Sequence, residues 1–177
     1  MNTQHGKTLS VVSAALCGAA YAVLTLILAP ISFGAVQFRV SELLCILPYY
    51  LPCTSWGLFA GCMLANLMTG NVLDVVFGSL ATLAAALTTA AVGRRGRSIR
   101  HRLMACVPPV LYNAFVVGAV ITVAYNGLSP LENPGVFALN ALQVGLGEAG
   151  VMFLIGFPTM RYLENQKFFR EFIEKVK

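Results

Sequence analysis

Very little of this sequence is charged. Asp, Glu, Lys and Arg make up 11% of it, and residues 8–38, 43–73, 75–93, 103–131 and 149–160 contain none of them. Soluble domains carry roughly 25% charged residues, so no water-facing surface, and hence no soluble catalytic domain, can be assembled from these windows. Other absences narrow the chemistry. There is no GxxxxGK[ST], no HExxH and no GxSxG, so the chain holds no P-loop for ATP, no zinc-protease helix and no serine elbow. No nucleophile and base stand at a recognisable spacing, which argues against an enzyme, and no motif calls for a cofactor. The five cysteines, Cys17, Cys45, Cys53, Cys62 and Cys106, include no CxxC pair; they read as small buried hydrophobes.

What remains is apolar. Hydrophobic residues form 58% of the chain and the mean hydropathy is +0.76. A membrane span needs about 20 mainly apolar residues, and several windows meet that length. The sequence therefore predicts an all-α, polytopic membrane protein with about six transmembrane helices. Residues 1–177 read as a single membrane domain, a bundle over 8–160 followed by an amphipathic tail over 161–177. The first helix is expected over 8–29, stopped by Pro30. Its apolar window of about 22 residues is too long for a secretory signal core and lacks a clear cleavage site, so it reads as a retained span. Residues 43–73 are long for one helix and short for two full spans. Pro48 and Pro52, followed by Thr54 and Ser55 as candidate caps, predict two short helices over 40–51 and 55–68. Further helices are expected over 73–92, 103–125 and 136–160.

The net charge of +5 is unevenly placed. Arg94, Arg95, Arg97, Arg100 and Arg102 crowd one connector, and Arg161, Lys167, Arg170, Lys175 and Lys177 lie in the tail. The positive-inside rule puts both in the cytoplasm, and with them both termini. Nucleic-acid binding is not expected, because the arginine run is short, lacks interleaved aromatics and abuts helices on both sides. In the tail, Phe168, Phe169, Phe172, Ile173 and Val176 alternate with charges at helical spacing, which predicts an amphipathic helix on the inner surface of the bilayer.

Ionisable groups inside a span cost roughly 2.5–3.5 kcal/mol each near its centre, so they are functional candidates. Here they are Arg39, Glu42, Asp74 and Glu148. The first three fall near expected outer helix ends, where water lowers the cost, and Arg39 with Glu42 has the i, i+3 spacing of an ion pair. Glu148 lies deep in the last helix with no other charge nearby. Asn140 and Gln143 precede it, and Asn66 and Asn113 add amides to other helices. Such amides often only tie helices together, at about 1 kcal/mol each; converging in one pocket, they suit the donor and acceptor edge of a heterocycle. Gly145, Gly147 and Gly150 spell GxGxxG, but they interrupt a hydrophobic helix rather than follow a strand, so close helix packing explains them better than a dinucleotide. Ala14, Ala15, Gly18, Ala19 and Ala22 leave a nearly flat stripe on the first helix. It suits packing within the chain or docking onto another membrane protein.

The run Leu28-Ala-Pro-Ile-Ser-Phe-Gly34, then Val36-Gln-Phe-Arg-Val-Ser-Glu42 and Leu47-Pro48, resembles the QueT family of substrate-binding S components of energy-coupling factor (ECF) transporters. Gly57-Leu-Phe-Ala-Gly61, Leu64-Ala-Asn66, Asp74-Val-Val-Phe-Gly-Ser-Leu-Ala-Thr82, Pro108-Pro109 with Asn113, and Val144-Gly-Leu-Gly-Glu148 extend the match over nearly the whole chain. The resemblance implies a six-helix component that captures a queuosine precursor, a 7-deazaguanine base, from outside. It also implies partners, a transmembrane coupling protein and two ATPase subunits, docked on small residues of the first helix. A guanine-like edge offers adjacent N–H donors that Glu148 or Glu42 would accept, with Arg39, Gln37, Asn66, Asn113, Asn140 and Gln143 around the base and Asp74 a candidate for an aminomethyl cation. Phe33, Phe38 or Tyr112 would stack on the ring, under a lid of residues 31–38. Two rival readings are a small proton-coupled secondary transporter using Glu148 and an S component for a different vitamin.

Overall fold

The structure, a computed structural model, describes residues 3–33 and 37–176, and all regular elements among them are helical. Helix α1 (Thr3–Ile27) leads into a short α2 (Ala29–Ser32). A 3₁₀ helix (Val40–Tyr49) and α3 (Thr54–Leu67) follow. A π turn (Asp74–Gly78) runs into α4 (Ser79–Arg95), and α5 is Ile99–Ala124. Helix α6 (Pro134–Ala149) continues through a π segment (Gly150–Gly156) into α7 (Phe157–Asn165), and α8 (Lys167–Val176) closes the chain. Among the described residues, four stretches are long and apolar enough to cross a membrane: Gly6–Ile27, Asp74–Arg95, Ile99–Ala124 and Pro134–Asn165.

Helix α1 ends at Ile27, just ahead of Pro30, and Pro30 then falls in the first turn of the short α2, where its missing N–H has no intrahelical partner to lose. Thr54 and Ser55 do not cap α3; the Thr54 hydroxyl donates back to the Leu51 carbonyl at 2.8 Å, and Cys53 is the capping residue without a side-chain bond. At the other entry, Asn71 does cap: its Oδ1 accepts from the Leu73 N–H at 2.9 Å and starts the Asp74 helix.

The stretch that is too long for one helix is accommodated by a change of helix type. Glu42 lies beside Thr82 and Tyr49 beside Gly93, so seven residues of the 3₁₀ helix match eleven of α4 running parallel to it. Rises of about 2.0 Å per residue in a 3₁₀ helix and about 1.5 Å in an α-helix make these two runs comparable in length, about 14 and about 16 Å. Ten residues thus reach about 20 Å, nearly the reach of the fourteen in α3.

Glycines set the closest crossings. A Cβ on Gly57 would strike the backbone carbonyl of Ala14, and one on Gly61 that of Gly18, so α1 and α3 run parallel at backbone contact. On the other side of the bundle, a Cβ on Gly118 of α5 would come 2.8 Å from the Ala141 Cα of α6. Close approach of this kind supplies packing where lipid removes the hydrophobic drive between helices.

One end of the bundle gathers the basic connector and both chain ends. The Arg97 guanidinium lies over the Tyr49 and Tyr50 rings at 4.7 and 4.9 Å, Arg102 pairs with Glu164, and the Tyr50 hydroxyl donates to Glu164 at 2.9 Å. The Ser10 hydroxyl of α1 donates to the Val176 carbonyl at 3.3 Å. Helix α8 is amphipathic as expected, but its apolar side does not lie free for lipid: Ile173 and Val176 are buried in a cluster with Tyr50, Met160 and Leu9, and Phe168 alone of its aromatics is left strongly exposed.

Candidate functional site

Buried polar residues occupy the middle of the bundle, where few are tolerated without partners. The backbone from Gln37 to Glu42 carries several of them inward as it enters the 3₁₀ helix. Arg39, Glu42, Asp74 and Glu148 are all 3% exposed or less. That corrects the expectation that the first three stand in water at helix ends; protein groups, not solvent, offset the cost of their burial.

Glu42 is held on both sides. The Tyr21 hydroxyl of α1 donates to Oε1, Thr82 of α4 approaches the same oxygen at 3.5 Å, and the Cys45 thiol donates to Oε2 at 3.0 Å. No direct ion pair joins it to Arg39 among the described residues. Arg39 precedes the 3₁₀ helix with extended backbone, so the helical i, i+3 alignment does not hold between the two side chains. Arg39 instead reaches Gln37 Oε1 at 3.4 Å, approaches the Cys62 sulfur at 3.9 Å and lies 5.3 Å from the Phe33 ring centre. Its Nε has no hydrogen-bond partner among the described residues. Arg39 is nonetheless the common electrostatic neighbour of Glu42, Asp74 and Glu148, one cation among three carboxyl groups.

Glu148 is held on one side only. Asn113 Nδ2 of α5 donates to Oε1 at 3.0 Å, while Glu148 Oε2 and Asn113 Oδ1 remain buried without partners among the described residues. A carboxylate accepts only, so the amide must turn its nitrogen toward it and present its oxygen elsewhere. The pair therefore offers two acceptors. Asn66 and Asp74 form a similar couple: Asn66 Nδ2 donates to the Asp74 backbone carbonyl at 3.0 Å, leaving Asn66 Oδ1 and Asp74 Oδ1 unpartnered. Both acids adjoin π-wound segments, which occur often at functional sites.

The end opposite the arginines holds a pocket of about 290 Å³ lined by Phe33, Gln37, Ile121, Tyr125, Asn126, Asn140 and Gln143. That is the small end of ligand pockets, which start near 300 Å³. Asn140 Nδ2 donates to Thr122 and to Asn126 Oδ1, both at 2.9 Å, which fixes the amide side chains on the wall. Gln143 stands five residues before Glu148 on α6, roughly 7.5 Å along the axis. Gln37 connects pocket and interior through Arg39.

The expected residues thus separate into groups. Gln37, Asn140 and Gln143 line the pocket, with Phe33; Arg39, Glu42, Asn66 and Asp74 form one buried set, and Asn113 with Glu148 another. The Phe38 ring rests on Gly150, 3.0 Å from where a Cβ would stand, and the Gln37 backbone crosses Gly147, so two glycines of the GxGxxG run serve to seat this segment. The expected lid is flanked by a Phe38 N–H bond to the Ile31 carbonyl at 3.1 Å; its residues 34–36 lie outside the described residues. Tyr112 does not stack in the site. It is next to Asn113 on a helix, hence rotated away from it, and its hydroxyl meets Thr88 on the outer face at 3.4 Å. The small stripe of α1 divides as well: Gly18 and Ala22 are buried and Ala14 abuts Gly57, while Ala15 and Ala19 are exposed. Sequence reasoning missed Tyr21, Thr82, Tyr125 and Asn126. A hydroxyl within a charge-free span was the available signal for the first two. Two of the cysteines also do more than fill space, Cys45 on Glu42 and Cys62 facing Arg39, Asn66 and Thr82.

The QueT transporter family model matches residues 11–165, a stretch that contains every one of these polar groups. The chain belongs to the QueT transporter family. A relative named queuosine precursor transporter QueT, from Lactococcus lactis subsp. cremoris (strain MG1363), is 37% identical over 82 residues, which cover 45% of this chain and 48% of the relative. The chain thus spans about half the length of the curated relative it matches. No solved structure matches it. QueT is a family of transporters rather than enzymes.

Proposed function

We propose that this chain is the substrate-binding component of an ECF-type importer in the cell membrane, and that it takes up a queuosine precursor of the 7-deazaguanine type. The observation that carries the proposal is the Asn113–Glu148 couple, whose two partnerless buried acceptors suit adjacent N–H donors on a guanine-like edge. Membership in the QueT family and the name of the Lactococcus relative support the substrate class. The base enters from the end opposite the arginines, passes the amides of Gln37, Asn140 and Gln143, and stacks on Phe33. Arg39 balances part of the carboxyl charge, and Asp74 is the counterpart for an aminomethyl cation.

In this reading the chain crosses six times, the 3₁₀ helix and α3 being the two short passages, and the arginine-bearing end with both termini faces the cytoplasm. A transmembrane coupling protein and two ATPase subunits supply the energy. Their contact on α1 is the exposed side, Ala15 and Ala19, because Gly18 and Ala14 are occupied by α3. The test is binding. Titration of the purified protein with 7-cyano- and 7-aminomethyl-7-deazaguanine, against purines and unrelated vitamins, should show heat only with the deazaguanines, and a vitamin that binds in their place overturns the substrate. Ala15→Leu should then abolish uptake while binding persists; normal uptake would remove this docking face.

A second reading rests on Glu148 as a buried carboxyl inside a long apolar helix with one oxygen left without a partner among the described residues. It makes the chain a proton-coupled secondary transporter. Uptake that continues in cells lacking the ATPase subunits would select it.

A further inference from the structure

The outer face between α4 and α5 carries a long apolar groove that no part of the transport reading uses. Its larger half, about 660 Å³, is walled by Met104, Val107, Pro108 and Leu111 of α5 and by Val92 and Arg95 of α4. The smaller half, about 410 Å³, continues past Phe115 and Val116, which line both, to Val123 and Phe77. On α5 these positions recur at i, i+3, i+4 and i+7, one stripe of a single helix face. Pro108 and Pro109 interrupt that helix. Having no N–H, Pro109 leaves the Ala105 carbonyl without its helical partner, and the Thr89 hydroxyl of α4 takes it at 3.2 Å.

The groove has a polarity along its length. Arg95 lines it at one end, next to the connector that carries Arg94, Arg97, Arg100 and Arg102. Halfway along, the Thr88 hydroxyl donates to the Ala84 carbonyl of its own helix at 2.8 Å and lies 3.4 Å from the Tyr112 hydroxyl. Beyond them the walls are apolar. From Met104 to Phe115 is eleven residues, about 16 Å of helix, or one leaflet of a hydrocarbon core about 30 Å thick. A cation at the water boundary, followed by one leaflet depth of apolar channel, is the complement of an anionic phospholipid. A protein helix would need small residues for close approach or an unpartnered polar group to match, and this groove offers bulky side chains instead.

We propose that the groove is a binding site for one anionic phospholipid of the leaflet at the arginine-bearing end, with its phosphate at Arg95 and an acyl chain along Val107, Leu111 and Phe115. The proposal is independent of which substrate the pocket takes. The experiment uses the full chain, purified in mild detergent and mixed with phosphatidylglycerol or phosphatidylcholine, with retained lipid read by native mass spectrometry. Wild type should retain one phosphatidylglycerol and little phosphatidylcholine. Arg95→Gln should cut the preference for phosphatidylglycerol about fivefold, the worth of one basic residue at an anionic surface. Leu111→Trp, which fills the channel, should lose both lipids. Photolabelling with a phosphatidylglycerol bearing a diazirine in its tail keeps the test sound if a variant folds poorly: labels on unmodified protein should concentrate on Met104, Val107, Leu111 and Phe115. Labels spread evenly over the exposed helix faces, or equal retention of both lipids by wild type and Arg95→Gln, would overturn the site. So would labelling lost when a coupling protein is present and restored by its removal.

Discussion

Glu42 and Glu148 are two buried carboxyl groups in one bundle, and their hydrogen-bonding surroundings differ. Around Glu42, Tyr21 of α1 donates to one oxygen and Cys45 of the 3₁₀ helix to the other, with Thr82 of α4 nearby at 3.5 Å, so both oxygens are engaged by the protein. Around Glu148, Asn113 of α5 engages one oxygen and leaves the other without a partner. A carboxyl whose bonds are complete locks helices; one with an acceptor left over can exchange it for a ligand. The same contrast runs through the packing. Both the α1–α3 and the α5–α6 crossings meet at glycine against backbone, but only α5 and α6 also border the open pocket.

The largest effect should come from breaking the locked side. Gly57→Leu places a side chain where the Ala14 carbonyl stands, and because backbone rather than a flexible side chain is in the way, the loss should exceed the ~1–3 kcal/mol of ordinary overpacking. Folded protein after detergent extraction, read by size-exclusion chromatography, should fall to a small fraction of wild type; a normal elution profile would mean that the helices do not cross here.

Next in size is the ligand side. Glu148→Gln keeps the shape but turns amide donors toward ligand donors, and charge-assisted bonds contribute about 1.5–3 kcal/mol. Affinity for a 7-deazaguanine should drop by about tenfold to several hundredfold, with little change in the melting temperature of the ligand-free protein. An unchanged dissociation constant accompanied by a lower melting temperature would move Glu148 to the locked class and erase the contrast.

Tyr21→Phe tests the opposite member. It removes the donor to Glu42 and leaves a buried acceptor short of a partner, a cost of about 1–3 kcal/mol, which should appear as a lower melting temperature while the dissociation constant stays within a factor of about three. A large loss of affinity without loss of stability would make Glu42 the ligand's carboxylate.

The smallest effect should be Gln143→Ala, one amide on the pocket wall. A neutral hydrogen bond contributes about 0.5–1.5 kcal/mol net, so affinity should fall by about two- to tenfold. No change at all would shift the ligand away from the pocket and toward the interior.

The sequence by itself determined the class of this protein. Charge-free windows of membrane length dictate helices, because a backbone in lipid must satisfy its own hydrogen bonds, and the four long spans follow from length and hydropathy alone. It also marked the unusual residues, since an acid or an amide is conspicuous against an apolar background. The 3₁₀ winding of Val40–Tyr49 was not legible, as two prolines announce a break without saying how the chain rewinds. Nor did periodicity tell which small residues of α1 face α3, because Ala14 and Ala15 are equally small and only the position of Gly57 chooses between them. Tertiary structure alone decided what each buried polar group does. A residue's type fixes how many hydrogen bonds it can make, but which of those bonds the protein already completes, as at Glu42, and which it leaves open, as at Glu148, depends on groups brought together from distant helices.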